Sequence, residues 1–232
     1  MSEGDRPGET AEARRSEART NTRRNQILTA AATCFHARGF HGASMGELAR
    51  EAGMSVGHIY HYFENKEAIV EAIVDRDLER FLELLDRISS NGNLADEMLA
   101  AVRTSLAEGC GRRRTLLRLE VLAEASRSDR VAAKVRAADT ASRARYLDML
   151  RHPDRLGSLP EQELAARADT IAALLEGLTL RALRHPAMDV DATLRSVRPA
   201  LVSLLHHTAS GEPAAVTAAG GSEQPEGEAS FL

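Results

Sequence analysis

Between Met45 and Tyr62 the chain reads MGELAREAGMSVGHIYHY, and this stretch narrows the choice of fold more than any other. Its apolar residues recur at helical spacing on both sides of a glycine, with no strand-like alternation. Leu48, Ala49 and Ala52 share one helical face, and Gly53 follows at once. Ser44 and Glu47 form a capping box ahead of them: the serine oxygen accepts a helix N–H, and the glutamate accepts the serine's own N–H. Ser55 is placed to cap a second short helix, Val56 to Tyr62, anchored by Met54 and Ile59. Two short helices cross closely only where a small residue stands at the contact and the turn tolerates positive φ. Ala49 meets the first need, and Gly53 meets the second four positions later.

That geometry is a helix-turn-helix. Its second helix enters the major groove of DNA by its leading end, while the first crosses the phosphate backbone. Val56, Gly57 and His58 lie at the leading end. Gly57 allows close approach, and His58 can bond a base edge or a phosphate. Tyr60, His61 and Tyr62 add hydroxyl and imidazole groups with ring surface. Lys66, where the next helix begins, brings a cation and helix N–H groups to phosphate.

The rest of the pattern predicts an all-α chain of about nine helices: a three-helix head followed by a helical bundle. Ile27, Ala30, Ala31, Cys34 and Phe35 trace a first helix that Gly39 ends. Asn65-Lys66-Glu67 opens a long fourth helix ending near Asn91-Gly92. Further helices are expected at about 94–109, 113–126, 129–152, 160–184 and 190–207, with Pro199 kinking the last. Aromatic residues are 3% of the chain and Trp is absent, so the core must be mostly Leu, Ala, Val and Ile. Residues 1–20 lack apolar periodicity and are expected as a disordered arm whose arginines, Arg14, Arg15 and Arg19, are either simply solvated or also touch phosphate. The head is expected over 21–67, an effector-binding and dimerisation body over 68–208, and a disordered Gly/Ala/Pro/Glu-rich tail over 209–232.

Net charge is −4, so attraction to DNA must come from basic residues gathered on one face. Two cysteines, Cys34 and Cys110, are too few for a disulfide framework. No apolar run approaches the roughly 20 residues that span a bilayer, and the N-terminus lacks the apolar core of a secretory signal. A soluble cytoplasmic protein is expected.

Residues 22–75 resemble the N-terminal domain of TetR-family regulators. The resemblance rests on Ile27-Leu28-x-Ala30-Ala31, Phe35, Gly39-Phe40, Ser44, Ala49-x-x-x-Gly53, Ser55 and Ile59-Tyr60-x-Tyr62-Phe63-x-Asn65-Lys66. It implies a homodimer whose heads bind double-stranded operator DNA and whose bodies take a small-molecule effector and pair through the last two helices. By the same resemblance Ser44, Ser55, Tyr60, Tyr62 and Lys66 touch phosphate, and Val56, Gly57, His58 and Tyr60 read bases. Gly46 departs from the family, which often has a longer polar side chain there, so one such contact is missing. Arg118–Val131 and Ala173–Leu178 are similar to regulators with a BetI-like C-terminal domain, which assigns no effector. The function expected is a repressor released from a palindromic operator by its effector.

Other readings compete for a few residues. Gly42-Ala43-Ser44-Met45-Gly46 matches the nucleophile elbow of α/β-hydrolases, but that elbow needs a preceding strand, and here a helix precedes it. Cys34, His36 and His41 are better read as one buried thiol and two surface imidazoles than as a metal site. Arg112, Arg113 and Arg114 beside Cys110 favour its thiolate, which allows a redox role, though a bystander cysteine is the preferred reading. Glu120 and Glu124, one turn apart in an apolar helix, are the polar groups nominated for the effector pocket; pairing with arginines is the alternative. No catalytic residue, metal or cofactor is expected, and no enzyme.

Overall fold

The computed structural model describes residues 7–89, 93–107, 109–152, 156 and 159–206, and these form nine helices. They are α1 (Pro7–Gly42), α2 (Met45–Ala52), α3 (Val56–Tyr62), α4 (Lys66–Ser89), α5 (Leu94–Ala107), α6 (Gly109–Ala125), α7 (Asp129–Leu150), α8 (Glu161–Arg184) and α9 (Val190–Leu205). The expected tail and the first six residues lie outside the described residues.

Three features of the helices bear on the sequence reading and have physical causes. Residues 7–20, expected as a disordered arm, are helical and continuous with α1. They are rich in Ala, Arg and Glu and adjoin a helix that is already nucleated, so lengthening it needs no new nucleus. The described side chains from Arg14 to Thr20 are all exposed, in keeping with their lack of apolar periodicity. Second, α9 is continuous through Pro199. Pro199 and Arg195 are exposed, so the carbonyl that loses its helix partner meets water. Third, the head's core does not stop at residue 67: it takes Ile69, Val70 and Ile73 from α4, Leu117 and Val121 from α6, and Val131 from α7.

The apolar residues fall into two clusters. One fills the head around Ile27, Phe35, Phe40, Leu48, Ile59 and Phe63. The other fills the body around Leu85, Met98, Leu150, Leu164, Ile171 and Leu201. Each large side chain so buried contributes about 1.5–3 kcal/mol. α1 turns into the first cluster at Gly39, whose φ of 69° is open to glycine and strained for other residues. The break swings Phe40 inward, with its ring centroid 5.4 Å from that of Phe35.

Candidate nucleic-acid interface

Both short helices of the head carry the caps expected of them. Ser44 Oγ accepts from Glu47 N at 3.2 Å, and Glu47 Oε2 accepts from Ser44 N at 2.9 Å. These contacts, led by the Ser44 backbone N–H, hold the Glu47 carboxyl below its ordinary value, and Arg38 pairs with it from α1. Ser44 is therefore a helix cap, with no strand to present it as a nucleophile. Gly53 closes α2 at φ 63°. Ser55 Oγ accepts from His58 N at 3.2 Å and opens α3.

α3 has one buried residue, Ile59, and shows the rest of its surface to solvent. Val56, Gly57, His58, Tyr60 and His61 are all exposed, as are Ser44 and Ser55 beside them. A Cβ added at Gly57 would meet nothing within 4 Å, so the glycine leaves a gap on the outer face. Tyr62 is half-buried and stands edge-on to both imidazoles, with ring centroids 5.3 Å from His58 and 5.2 Å from His61. The result is a convex strip of hydroxyl, imidazole and backbone donors on a helix narrow enough for a groove.

Three helix ends in the head are tied down by long side chains, a role that the sequence reading gave to none of them. Helix C-termini leave carbonyls without partners and carry partial negative charge, so donors and cations are favoured there. Gln26 Nε2 donates to Ala52 O at 2.7 Å, at the end of α2. Arg24 Nη1 donates to Tyr62 O at 3.1 Å, at the end of α3, and its guanidinium lies 4.4 Å from the Phe63 ring centroid. Lys66 Nζ donates to Phe40 O and Ala43 O, both at 2.8 Å, and lies 4.6 Å from the Phe40 ring centroid. Two of its three N–H donors thus hold the end of α1. These partners are 23 to 38 residues apart, so no local spacing could have announced them.

Glu120 and Glu124, nominated for an effector pocket, stand elsewhere: both face the break in α1. Glu120 Oε2 accepts from Phe40 N at 3.3 Å. Glu124 is 4% exposed, and its Oε2 lies 3.1 Å from His41 Nε2 without meeting hydrogen-bond geometry. The body instead has a cavity of about 190 Å³ lined by Leu106, Arg112, Thr115, Thr179, Leu183 and Met188 among others. Cys34 is half-buried, and burial followed by Glu51 and Glu47 pushes its thiol up, away from reactivity. The side chain of Cys110 lies outside the described ones. Among the described residues no three His, Cys, Asp or Glu gather as a metal site, and no helix is long and apolar enough to cross a membrane.

The family model for bacterial regulatory proteins of the tetR family matches residues 27–73, from within α1 through α2 and α3 to the first turns of α4. A second model, the C-terminal part of BetI-type transcriptional repressors, matches residues 94–206. The chain belongs to the TetR family. Among its relatives, the HTH-type transcriptional regulator UidR of Escherichia coli is 34% identical over 113 residues, 49% of this chain and 57% of UidR. The match therefore spans little more than half of that relative. Salmonella enterica GusR is 26% identical in structure-based comparison, with a TM-score of 0.63 over 78% of this chain and 95% of GusR. A Saccharomonospora viridis regulator in complex with choline shares the fold at 19% identity, with a TM-score of 0.65 over 83% of this chain and all of that one. This TetR-family chain thus has the expected all-α architecture, head first and bundle second.

Proposed function

We propose that this protein is a homodimeric transcriptional repressor that reads a palindromic operator with α3 and releases it on binding a small molecule. The observation that carries the reading is α3 itself: capped by Ser55, anchored by Ile59 with Tyr62 half-buried at its end, and exposed at Val56, Gly57, His58, Tyr60 and His61. Val56, Gly57, His58 and Tyr60 read bases. Ser44, Ser55, Tyr60, Tyr62 and the third N–H of Lys66 hold phosphates, and His61 supports either contact. Arg14, Arg15, Arg19 and Arg23, exposed along the first turns of α1, supply the positive charge that a chain of net −4 must concentrate. Fluorescence anisotropy of promoter DNA flanking its gene tests this. Binding should be steeply salt-dependent because cations that neutralise phosphates release counterions. DNA of any sequence binding equally would refute it.

The dimer contact is proposed on the outward face of α8 and α9. Leu178 belongs to the protomer's own core at 7% exposure, so charging it tests folding rather than pairing. Gly177 has open space around it and Leu180 is 37% exposed. An exposed glycine inside a helix costs about 1 kcal/mol relative to alanine, a cost that close approach of a partner helix explains. Leu180→Arg should give folded monomers in sedimentation; an unchanged dimer would place the contact elsewhere. The effector is proposed to bind in the body, with Glu120 and Glu124 reassigned from ligand contacts to the joint between body and head. The protein is proposed to act in the cytoplasm, where its operator lies.

A further inference from the structure

The strap from Gly39 to Ser44, which carries α1 into α2, is gripped from two sides. Gly39 has φ 69° and ψ 169°, and that ψ turns the next peptide so that the N–H of Phe40 points away from the helix ladder. It meets Glu120 of α6: Phe40 N donates to Glu120 Oε2 at 3.3 Å. A Cβ at Gly39 would stand only 3.4 Å from that oxygen, so the glycine also clears the carboxylate's approach. α6 reaches this place because Leu117 and Val121, on either side of Glu120 in the chain, are buried in the head cluster.

From the other side the strap is held by α4. Asn65 Oδ1 accepts from Ala68 N at 2.8 Å and caps α4, which fixes where Lys66 leaves that helix. Lys66 Nζ then donates to Phe40 O and Ala43 O, both at 2.8 Å. The strap ends in Ser44, which with Glu47 forms the capping box of α2. Phe40 is thus bonded through its N–H to the body and through its C=O to Lys66. Among the described residues, the bond from Phe40 to Glu120 is the one hydrogen bond between side chains of α5–α9 and the backbone of the first three helices.

We propose that Glu120 is a positioning residue for DNA binding: through Phe40 it holds Lys66 and the start of α2 in the register that meets phosphate. The inference rests on the operator-binding reading and goes beyond it by making a body residue part of the head's grip on DNA. What the strap needs from position 120 is an acceptor, which the amide oxygen of a glutamine also supplies. Losing that acceptor shifts phosphate contacts rather than base contacts, so it weakens all sequences alike. A residue that only stabilised the fold would lower the melting temperature without changing the affinity of the molecules still folded.

The test is a double-mutant cycle on the full chain, read by fluorescence anisotropy on promoter DNA and on a scrambled duplex of equal length, with each protein held well below its melting temperature. Glu120 is only half-buried, and Leu117 and Val121 still seat α6 in the head, so Glu120→Ala should fold. It should weaken both duplexes by the same factor, about fivefold, the scale of one lost hydrogen bond. Glu120→Gln, which keeps an acceptor, should bind within about twofold of wild type. Lys66→Met should weaken binding too, and Glu120→Ala/Lys66→Met should match Lys66→Met within about twofold, because both side chains act through Phe40. Arg118→Gln, on the same helix but paired with Glu176 of α8, should change nothing. The inference is overturned if Glu120→Ala binds as wild type, if Glu120→Gln is as weak as Glu120→Ala, or if the losses at 120 and 66 simply add. Wild type that holds promoter and scrambled DNA equally refutes the operator reading and leaves the cycle to decide on Glu120; wild type that binds neither duplex removes both.

Discussion

The head and the body of this protein are both built from helices on an apolar core, yet they are held in different ways. The head gathers Phe35, Phe40 and Phe63 into its core and closes its helix ends with Gln26, Arg24 and Lys66. Its geometry is pinned by directional contacts to backbone carbonyls at three helix ends, where the described body has one such tie across helices, from Arg167 to the end of α9. The body core is mainly Leu, Ile, Val, Met and Ala, with Tyr146 among them. Directional locking suits a surface that must meet a rigid duplex in one register. An aliphatic core with fewer such contacts suits the effector-responsive part proposed above.

Paired core truncations separate the two most strongly. Ile59→Ala in the head and Ile171→Ala in the body, both fully buried, should each cost about 2–5 kcal/mol, read by chemical unfolding. Operator affinity per folded molecule should fall for Ile59→Ala, whose side chain anchors α3, and hold for Ile171→Ala. Equal loss of affinity in both would erase the distinction.

Lys66→Met comes next. It strips the carbonyls of Phe40 and Ala43 of their donor, at about 1–3 kcal/mol. Because the end of α1 then relaxes, all DNA sequences should weaken alike. If the third N–H also holds a phosphate, the salt slope should drop by about one. An unchanged slope would make Lys66 a positioning residue alone.

Ser44→Ala should cost about 1 kcal/mol through loss of the α2 cap. The cap also predicts a pH effect. Glu47 is held below its ordinary value, so what it adds to stability is present above the normal carboxylate range and lost as pH falls through its lowered value. Melting temperatures of wild type and Glu47→Gln should therefore differ near neutrality and converge in acid. A gap that persists at low pH would mean that the charge of Glu47 is irrelevant to the cap.

The head was more legible than the body in the sequence because its fold rests on local demands. A cap, a crossing alanine and a positive-φ glycine are local demands, and Ser44, Ala49, Gly53 and Ser55 meet them within twelve residues of one another. Helix boundaries in the body were also legible: the helices expected at about 129–152, 160–184 and 190–207 run Asp129–Leu150, Glu161–Arg184 and Val190–Leu205. Contacts between distant helices were not. Glu120 and Glu124 read as pocket residues because charge in an apolar helix signals a partner, but spacing cannot say that the partners are Phe40 and His41 about 80 residues away. Lys66 read as a phosphate ligand, and its carbonyl partners were equally invisible.

The central claim is that α3 reads DNA sequence through its exposed face. The most direct measurement is anisotropy of the wild type and of His58→Ala/Tyr60→Ala on the promoter DNA and on a scrambled duplex of equal length, at matched salt. Both side chains are exposed, so melting temperature should not move. Wild type should prefer the promoter by at least roughly a thousandfold. The double variant should keep its affinity for scrambled DNA and lose most of that preference, since bases specify and phosphates position. A double variant that discriminates as well as wild type would contradict the claim.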